Sequence, residues 1–240
     1  ERLRHLVDPA AADAAAALLL LAPETPLLWM GEEFAASAPF LYFTDHEPDL
    51  GKLVTEGRTR EFAGLGGKPG HSIPDPQAEA TFRASKLDLA ERETHAGTYR
   101  LYRDLLALRR DDPVLRDQDR TRLRATAVGE RIVAVHRWRG KEHRLLLANL
   151  GDAAVIELGE PSPPSPLSLA RERGSLPASA DNSTANRGND QSVAEWTLRF
   201  STADRRYDGS AEPVRLERED AGWRVRLPAR TAVLLGGTAV

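Results

Sequence analysis

The stretch Asp8–Gly31 constrains the fold more than any other part of this sequence. Asp8-Pro9 has the form of a helix start, with an acceptor side chain at the N-cap and proline at the first helical position. The Ala- and Leu-rich run that follows to Leu21 is apolar nearly all round, which predicts a buried helix. Pro23 ends it. Thr25-Pro26-Leu27-Leu28-Trp29-Met30-Gly31 then reads as a short, fully buried strand with little alternation. Helix, short turn and buried strand is the grammar of a parallel α/β layer.

The remainder changes style twice. Glu32–Arg92 holds Gly, Pro, aromatic and charged residues without sustained periodicity, so a long loop is expected there. Its aromatics, Phe34, Phe40, Tyr42, Phe43, Phe62 and Phe82, argue against disorder. From Thr94 a helical spacing returns through Tyr99, Tyr102, Leu105, Leu106 and Leu108, and Asp112-Pro113 closes it. Short β runs follow: Ile132–Trp138, Arg144–Asn149, Ala153–Leu158, Trp196–Ser201, Pro213–Glu217, Trp223–Leu227 and Ala232–Leu235. Gly140-Lys141 and Gly151-Asp152 are placed as hairpin turns. This pattern predicts an antiparallel sandwich. Pro161–Ser192 is rich in Ser, Pro, Ala and Asn and is expected to be a mobile excursion from it. Asn182-Ser183-Thr184 within it matches a glycosylation sequon, which a polar tract produces readily by chance. The expected organisation is therefore an α/β part over 1–118 and a β-sandwich over 119–240, interrupted at 160–193.

Composition removes several classes of function. With 33 basic and 36 acidic residues the net charge is −3, which argues against nucleic-acid or membrane-surface partners. The absence of cysteine excludes disulfides, thiolate metal sites and a cysteine nucleophile, and fits a cytoplasmic setting. The longest apolar run, Ala14–Ala22, is too short to span a bilayer. The start, Glu1-Arg2-Leu3-Arg4-His5, carries no signal-peptide pattern and reads as a chain entered part-way. No nucleophile elbow, phosphate loop or dinucleotide fingerprint occurs, and no cofactor is expected.

Two constellations carry chemistry. In Gly31-Glu32-Glu33-Phe34, adjacent carboxylates follow the buried run; they can bind hydroxyls or orient a cation, or one can pair with a buried arginine for stability alone. In Phe40-Leu41-Tyr42-Phe43-Thr44-Asp45-His46, aromatic faces suit sugar rings, and Asp45 and His46 can hydrogen-bond hydroxyls. The plainer alternative is a satellite core under a loop, with Asp45 as a turn residue. Asp45, His46, Glu47 and Asp49 match no metal template, so no metal is expected. His71 reads as a loop histidine, and Arg100, Arg103, Arg109 and Arg110 as a solvated helix face.

These stretches resemble a known family. Thr25–Phe34 is similar to the eighth barrel strand of the α-amylase family, which carries Pro-x-x-x-x-Gly-Glu/Gln-Glu there. Phe40–His46, Gly57-Arg58-Thr59-Arg60-Glu61-Phe62, Ile73-Pro74-Asp75-Pro76-Gln77, Thr81-Phe82-x-x-Ser85-Lys86-Leu87 and Tyr102–Arg109 narrow the resemblance to malto-oligosyltrehalose trehalohydrolases. Trp196–Thr202 and Arg206-Tyr207 resemble their C-terminal β domain. The resemblance implies the C-terminal end of a (β/α)8 TIM barrel followed by an antiparallel β-sandwich. It implies hydrolysis of the α-1,4 bond joining trehalose to a maltooligosaccharide by a retaining pair of carboxyl groups, supported by a third. In the family those groups follow strands four, five and seven, and no position of this sequence matches them. No catalytic residue is carried over. Glu33, Phe34, Asp45 and His46 are the expected wall and rim of a cleft for maltooligosyltrehalose or another α-glucan. A non-catalytic glucan-binding module, or a part of a branching enzyme or amylase, are the alternatives. One barrel strand of eight cannot close a barrel. The apolar faces of the first helix and of Leu27–Met30 are accordingly expected to be exposed.

Overall fold

The computed structural model describes residues 2–64, 73–159, 193–219 and 222–239. In chain order its helices are α1 (Leu3–Leu6), α2 (Pro9–Leu21), α3 (Pro48–Gly64), α4 (Glu79–Ser85), α5 (Glu91–Thr94) and α6 (Ala96–Asp111). The strands are β1 (Leu123–Val128), β2 (Ile132–Arg139), β3 (Glu142–Asn149), β4 (Ala154–Gly159), β5 (Val193–Ser201), β6 (Arg215–Glu219), β7 (Gly222–Leu227) and β8 (Ala232–Ala239). They fall into two compact units: Glu1–Leu6 with Trp29–His95, and Val7–Leu28 with Ala96–Val240.

The second unit is layered. A five-stranded sheet has the order β1-β2-β3-β8-β5, and a three-stranded sheet has the order β4-β7-β6. Every pairing is antiparallel. One face of the larger sheet presents Ile132, Ala134, Leu145, Leu147, Trp196, Val233 and Leu235 to Ile156, Leu158, Val225 and Leu227 of the smaller. The opposite face presents Val135, Leu146, Ala148, Phe200 and Leu234 to Ala14, Ala17, Leu20 and Leu21 of α2 and to Leu101 and Leu105 of α6. Both faces are covered, which is why Leu145-Leu146-Leu147-Ala148 is an unbroken apolar run in an antiparallel sheet.

Helix α2 begins as its sequence predicts. Asp8 accepts from the amides of Ala10 (2.9 Å) and Ala11 (3.3 Å), with Pro9 in the first turn. Its far end leaves carbonyls unpaired, and two arginines take them. Arg109 donates to Leu20 (2.9 Å), Ala22, Pro23 (3.3 Å) and Glu24 (2.7 Å), and Arg137 donates to Leu21 (2.9 Å). Arg109 is thus a cap and not part of a merely solvated helix face. At the end of α6, Asp112 uses both carboxylate oxygens. One accepts from the amides of Val114 (2.9 Å) and Leu115 (3.1 Å), and the other from Arg144 Nε of β3 at 2.7 Å.

The first unit has little regular core. α3 occupies part of the expected loop, and Gly51 is its one buried residue among those whose burial is described. A helix that buries almost nothing has no apolar stripe, so periodicity could not reveal it. β1 escaped for a similar reason: it is an edge strand of Leu, Arg, Ala and Thr that buries only Val128.

Two further expectations change. Thr25–Met30 is in no sheet, and Leu27 is 85% exposed, Trp29 45% and Met30 57%. A strand exists only with a partner, and among the described residues this segment has none. The exposure foreseen for Leu27, Trp29 and Met30 is present, but α2 is not bare, because the larger sheet covers it. Gly151-Asp152 makes no hairpin, since β3 and β4 lie in different sheets. The crossing is held by Asn149, whose Nδ2 donates to the carbonyls of Asp152 (2.7 Å) and Pro228 (2.9 Å). α2 and α6 pack with the strands in the second unit. His71, the Pro161–Ser192 tract and its sequon lie outside the described residues.

Asp112→Ala leaves the buried Arg144 guanidinium without its best partner. The second unit should lose about 3 kcal/mol, read by urea denaturation followed by circular dichroism. A loss below about 1 kcal/mol would show the pair to be dispensable.

Candidate functional site

The first unit is organised around a tight corner. Gly31 has φ +87°, and a Cβ there would meet Ala36 Cβ and Arg2 Nη2 at 2.9 Å, so only glycine fits. A single 3-10 turn, Glu32–Phe34, follows, and Ala35 closes it in the left-handed region at φ 51°. Arg2 is 3% exposed. It donates to the carbonyls of Met30 (2.7 Å) and Ala38 (3.0 Å) and sits 3.7 Å from Glu32 Oε1. Glu32 therefore pairs with a buried arginine, the structural alternative for this carboxylate pair. Glu33 folds back, and its Oε2 accepts from the Gly31 amide at 2.8 Å.

Phe34 is fully buried. Its carbonyl, which can only accept, lies 2.8 Å from His95 Nδ1, so that nitrogen carries a proton. Arg92 stacks over the Phe34 ring at 5.4 Å from the centroid. Phe34 thus anchors the corner and turns no face outward. Ser37 donates its amide (2.9 Å) and its hydroxyl to Glu91, and these bonds hold the Glu91 carboxyl below the ordinary carboxylate range.

Asp45 and His46 are exposed, on a segment fixed from behind by Gln77. Gln77 Oε1 accepts from Thr44 Oγ1 (2.5 Å) and the His46 amide (3.2 Å), and Gln77 Nε2 donates to the His46 carbonyl (3.0 Å). The Thr44 amide adds a bond to the Pro76 carbonyl at 2.8 Å. Beside this segment runs a row of aromatic rings. Trp29 meets Phe40 edge-on at 4.5 Å, Phe40 lies 6.5 Å from Phe43, and Phe43 meets Phe82 edge-on at 5.1 Å. All four are at least 38% exposed. Arg58 of α3 covers the Tyr42 ring at 4.6 Å.

The structure thus groups the four foreseen residues in two sets. Asp45 and His46 join Gln77 at an open surface, while Glu33 and Phe34 join the Arg2 and His95 corner. Gln77 and Arg2 carry no local sequence signal; these side-chain bonds span 28 to 36 positions, beyond the reach of any local pattern. What stays open is chemistry for binding: flat apolar faces beside an acid and an imidazole. Among the described residues no group of three His, Asp or Glu side chains is placed to hold a metal ion.

No protein-family model matches the chain. A malto-oligosyltrehalose trehalohydrolase of Deinococcus radiodurans is 52% identical over 151 residues, which are 61% of this chain and 25% of that protein. By sequence the chain is a relative of the malto-oligosyltrehalose trehalohydrolases. The Arthrobacter ramosus trehalohydrolase is 50% identical over 117 residues, 48% of this chain and 20% of its own length. The chain thus matches a quarter or less of either trehalohydrolase. A chain assigned as an alpha amylase from Salmonella typhimurium superposes with TM-score 0.63 at 24% identity, over 99% of this chain and 32% of its own. The alpha-amylase from H. orenii gives 0.53 at 15%, over 96% and 36%. These two place the fold among α-amylase structures. Among the described residues no helix is long and apolar enough to cross a membrane.

Gln77→Ala removes the three side-chain bonds to Thr44 and His46 and leaves the Thr44–Pro76 backbone bond. The His46 amide should then exchange with solvent about 10- to 100-fold faster by hydrogen-exchange mass spectrometry, at about 1 kcal/mol per bond. An unchanged rate would mean that the segment is held by other contacts.

Proposed function

We propose that this chain is the C-terminal part of a glycoside hydrolase that releases trehalose from maltooligosyltrehalose by cleaving an α-1,4-glucosidic bond. The observation that carries the reading is the 52% identity over 151 residues to a trehalohydrolase. Residues 1–118 then derive from the end of a (β/α)8 barrel, and 119–240 form its β-sandwich. The catalytic carboxylates lie outside this chain, and the chain alone does not hydrolyse glucan. Its contribution is the rim of the glucan cleft. Asp45 and His46 hydrogen-bond sugar hydroxyls, and Glu33 and Phe34 hold the corner behind them. A cytoplasmic setting belongs to the same proposal, supported by the lack of cysteine.

A second reading is favoured by one observation. The row Trp29, Phe40, Phe43 and Phe82 is exposed, as on a glucan-binding accessory surface. Two measurements on the purified chain separate the readings. Incubation with maltooligosyltrehalose should release no trehalose; turnover by the chain alone would sink the claim that its chemistry lies elsewhere. Calorimetric titration with maltoheptaose should give at most weak binding, about millimolar, weakened severalfold by His46→Ala or Phe43→Ala. Tight binding, at about micromolar or below, would favour the accessory module.

A further inference from the structure

Two histidines of the sandwich stack on one another. His136 of β2 and His143 of β3 lie on the face of the larger sheet that meets the smaller, in line with Ala134 and Leu145. They are 3% and 4% exposed. Their rings stack at 5.1 Å with 20° between planes, and His136 Nε2 lies 2.9 Å from His143 Nδ1. Trp138 and Trp196 flank His136 at 5.3 and 6.2 Å. The outer nitrogens, His136 Nδ1 and His143 Nε2, have no hydrogen-bond partner among the described residues.

We propose that the His136–His143 pair is an acid-sensitive latch, which ties β2 to β3 while both rings are neutral and releases that end of the sheet as the pH falls below neutrality. The ring-to-ring bond needs one donor and one acceptor, which two neutral imidazoles supply and two imidazolium ions cannot. One outer nitrogen, that of the accepting ring, already carries its proton, and a proton added to the other creates a buried charged donor with nothing to receive it among the described residues. The surroundings oppose the charge further. From β1, Arg124 stands directly opposite His136 in the strand register. From β3, Glu142 and Arg144 flank His143, and Arg144 is itself tied to Asp112. β8 presents Gly237 opposite His143, and β5 presents the edge of Trp196. Glu142, the acid that pulls on His143, is 47% exposed and shared with Arg144.

Burial first, then the charges of His143 and Arg124, push His136 down from 6.5 to about 3. Burial also lowers His143, against the pull of Glu142 and with the push of Arg144. The folded pair therefore binds fewer protons than the unfolded chain below about 6.5. Its stability is whole above that pH and drains away between 6.5 and about 3.

The test is denaturant unfolding of the full 240-residue chain between pH 8 and 5, compared with His136→Gln/His143→Gln. For the unsubstituted chain the unfolding constant should rise by up to about tenfold per pH unit for each proton taken up below pH 6. In the double variant that slope should be largely lost. Equal slopes would overturn the latch. Should the double variant not fold, carbon-13 ring signals of the unsubstituted chain decide. The two buried rings should stay neutral until the β signals collapse; reversible titration near 6.5 within the folded chain would refute the proposal.

Discussion

The larger sheet of the second unit buries both of its faces, and most of the fold follows from that demand. A sheet with Leu145, Leu146, Leu147 and Ala148 in succession needs two apolar covers, and the chain supplies them from places far apart in sequence. The smaller sheet covers one face. Helices α2 and α6 cover the other, and the polar ends of those helices must then be satisfied close to the sheet. Arg109, Arg137 and the Asp112–Arg144 pair do this. At about 2 kcal/mol for each fully buried Leu, the apolar covers dominate, and the arginines decide where α2 stops and how α6 meets β3.

The first unit shows the converse. Its order comes from polar bonds made at a few points: Arg2 on the carbonyls around Gly31, Ser37 on Glu91, Gln77 on the Thr44–His46 segment. Many of its large apolar groups face outward, from Met30 to the Trp29–Phe82 row. A surface so rich in exposed aromatic and aliphatic area belongs to a binding site or to an interface. Both uses agree with a segment that matches only a quarter of a longer trehalohydrolase relative.

Much of the second unit was legible in the sequence because its signals are local. Asp8-Pro9 announced the start of α2, Asp112-Pro113 the end of α6, and short apolar runs broken by glycine announced β2 to β8. β1 and α3 were not legible because neither buries a regular stripe. The crossing at Asn149 looked like a hairpin, since a two-residue turn and a sheet-to-sheet bend carry the same Gly-Asp. Thr25–Gly31 shows the limit most plainly: its composition suits a buried strand, yet strand pairing is a property of the neighbours and not of the segment. At the candidate site the exposed pair, Asp45 and His46, could be named from residue type. That Glu33 serves the Gly31 amide and that Phe34 is interior depend on a left-handed corner that no pattern of apolar residues encodes.

If this chain is part of a trehalohydrolase, its matching residues should replace the corresponding part of such an enzyme, with the chemistry provided by the rest of that enzyme. The most direct measurement exchanges the matching segment of the Deinococcus radiodurans trehalohydrolase for this chain and assays trehalose release from maltooligosyltrehalose. The chimera should fold and release trehalose, with activity reduced by His46→Ala. A chimera that folds but only shortens maltooligosaccharides, or is inert, would contradict it.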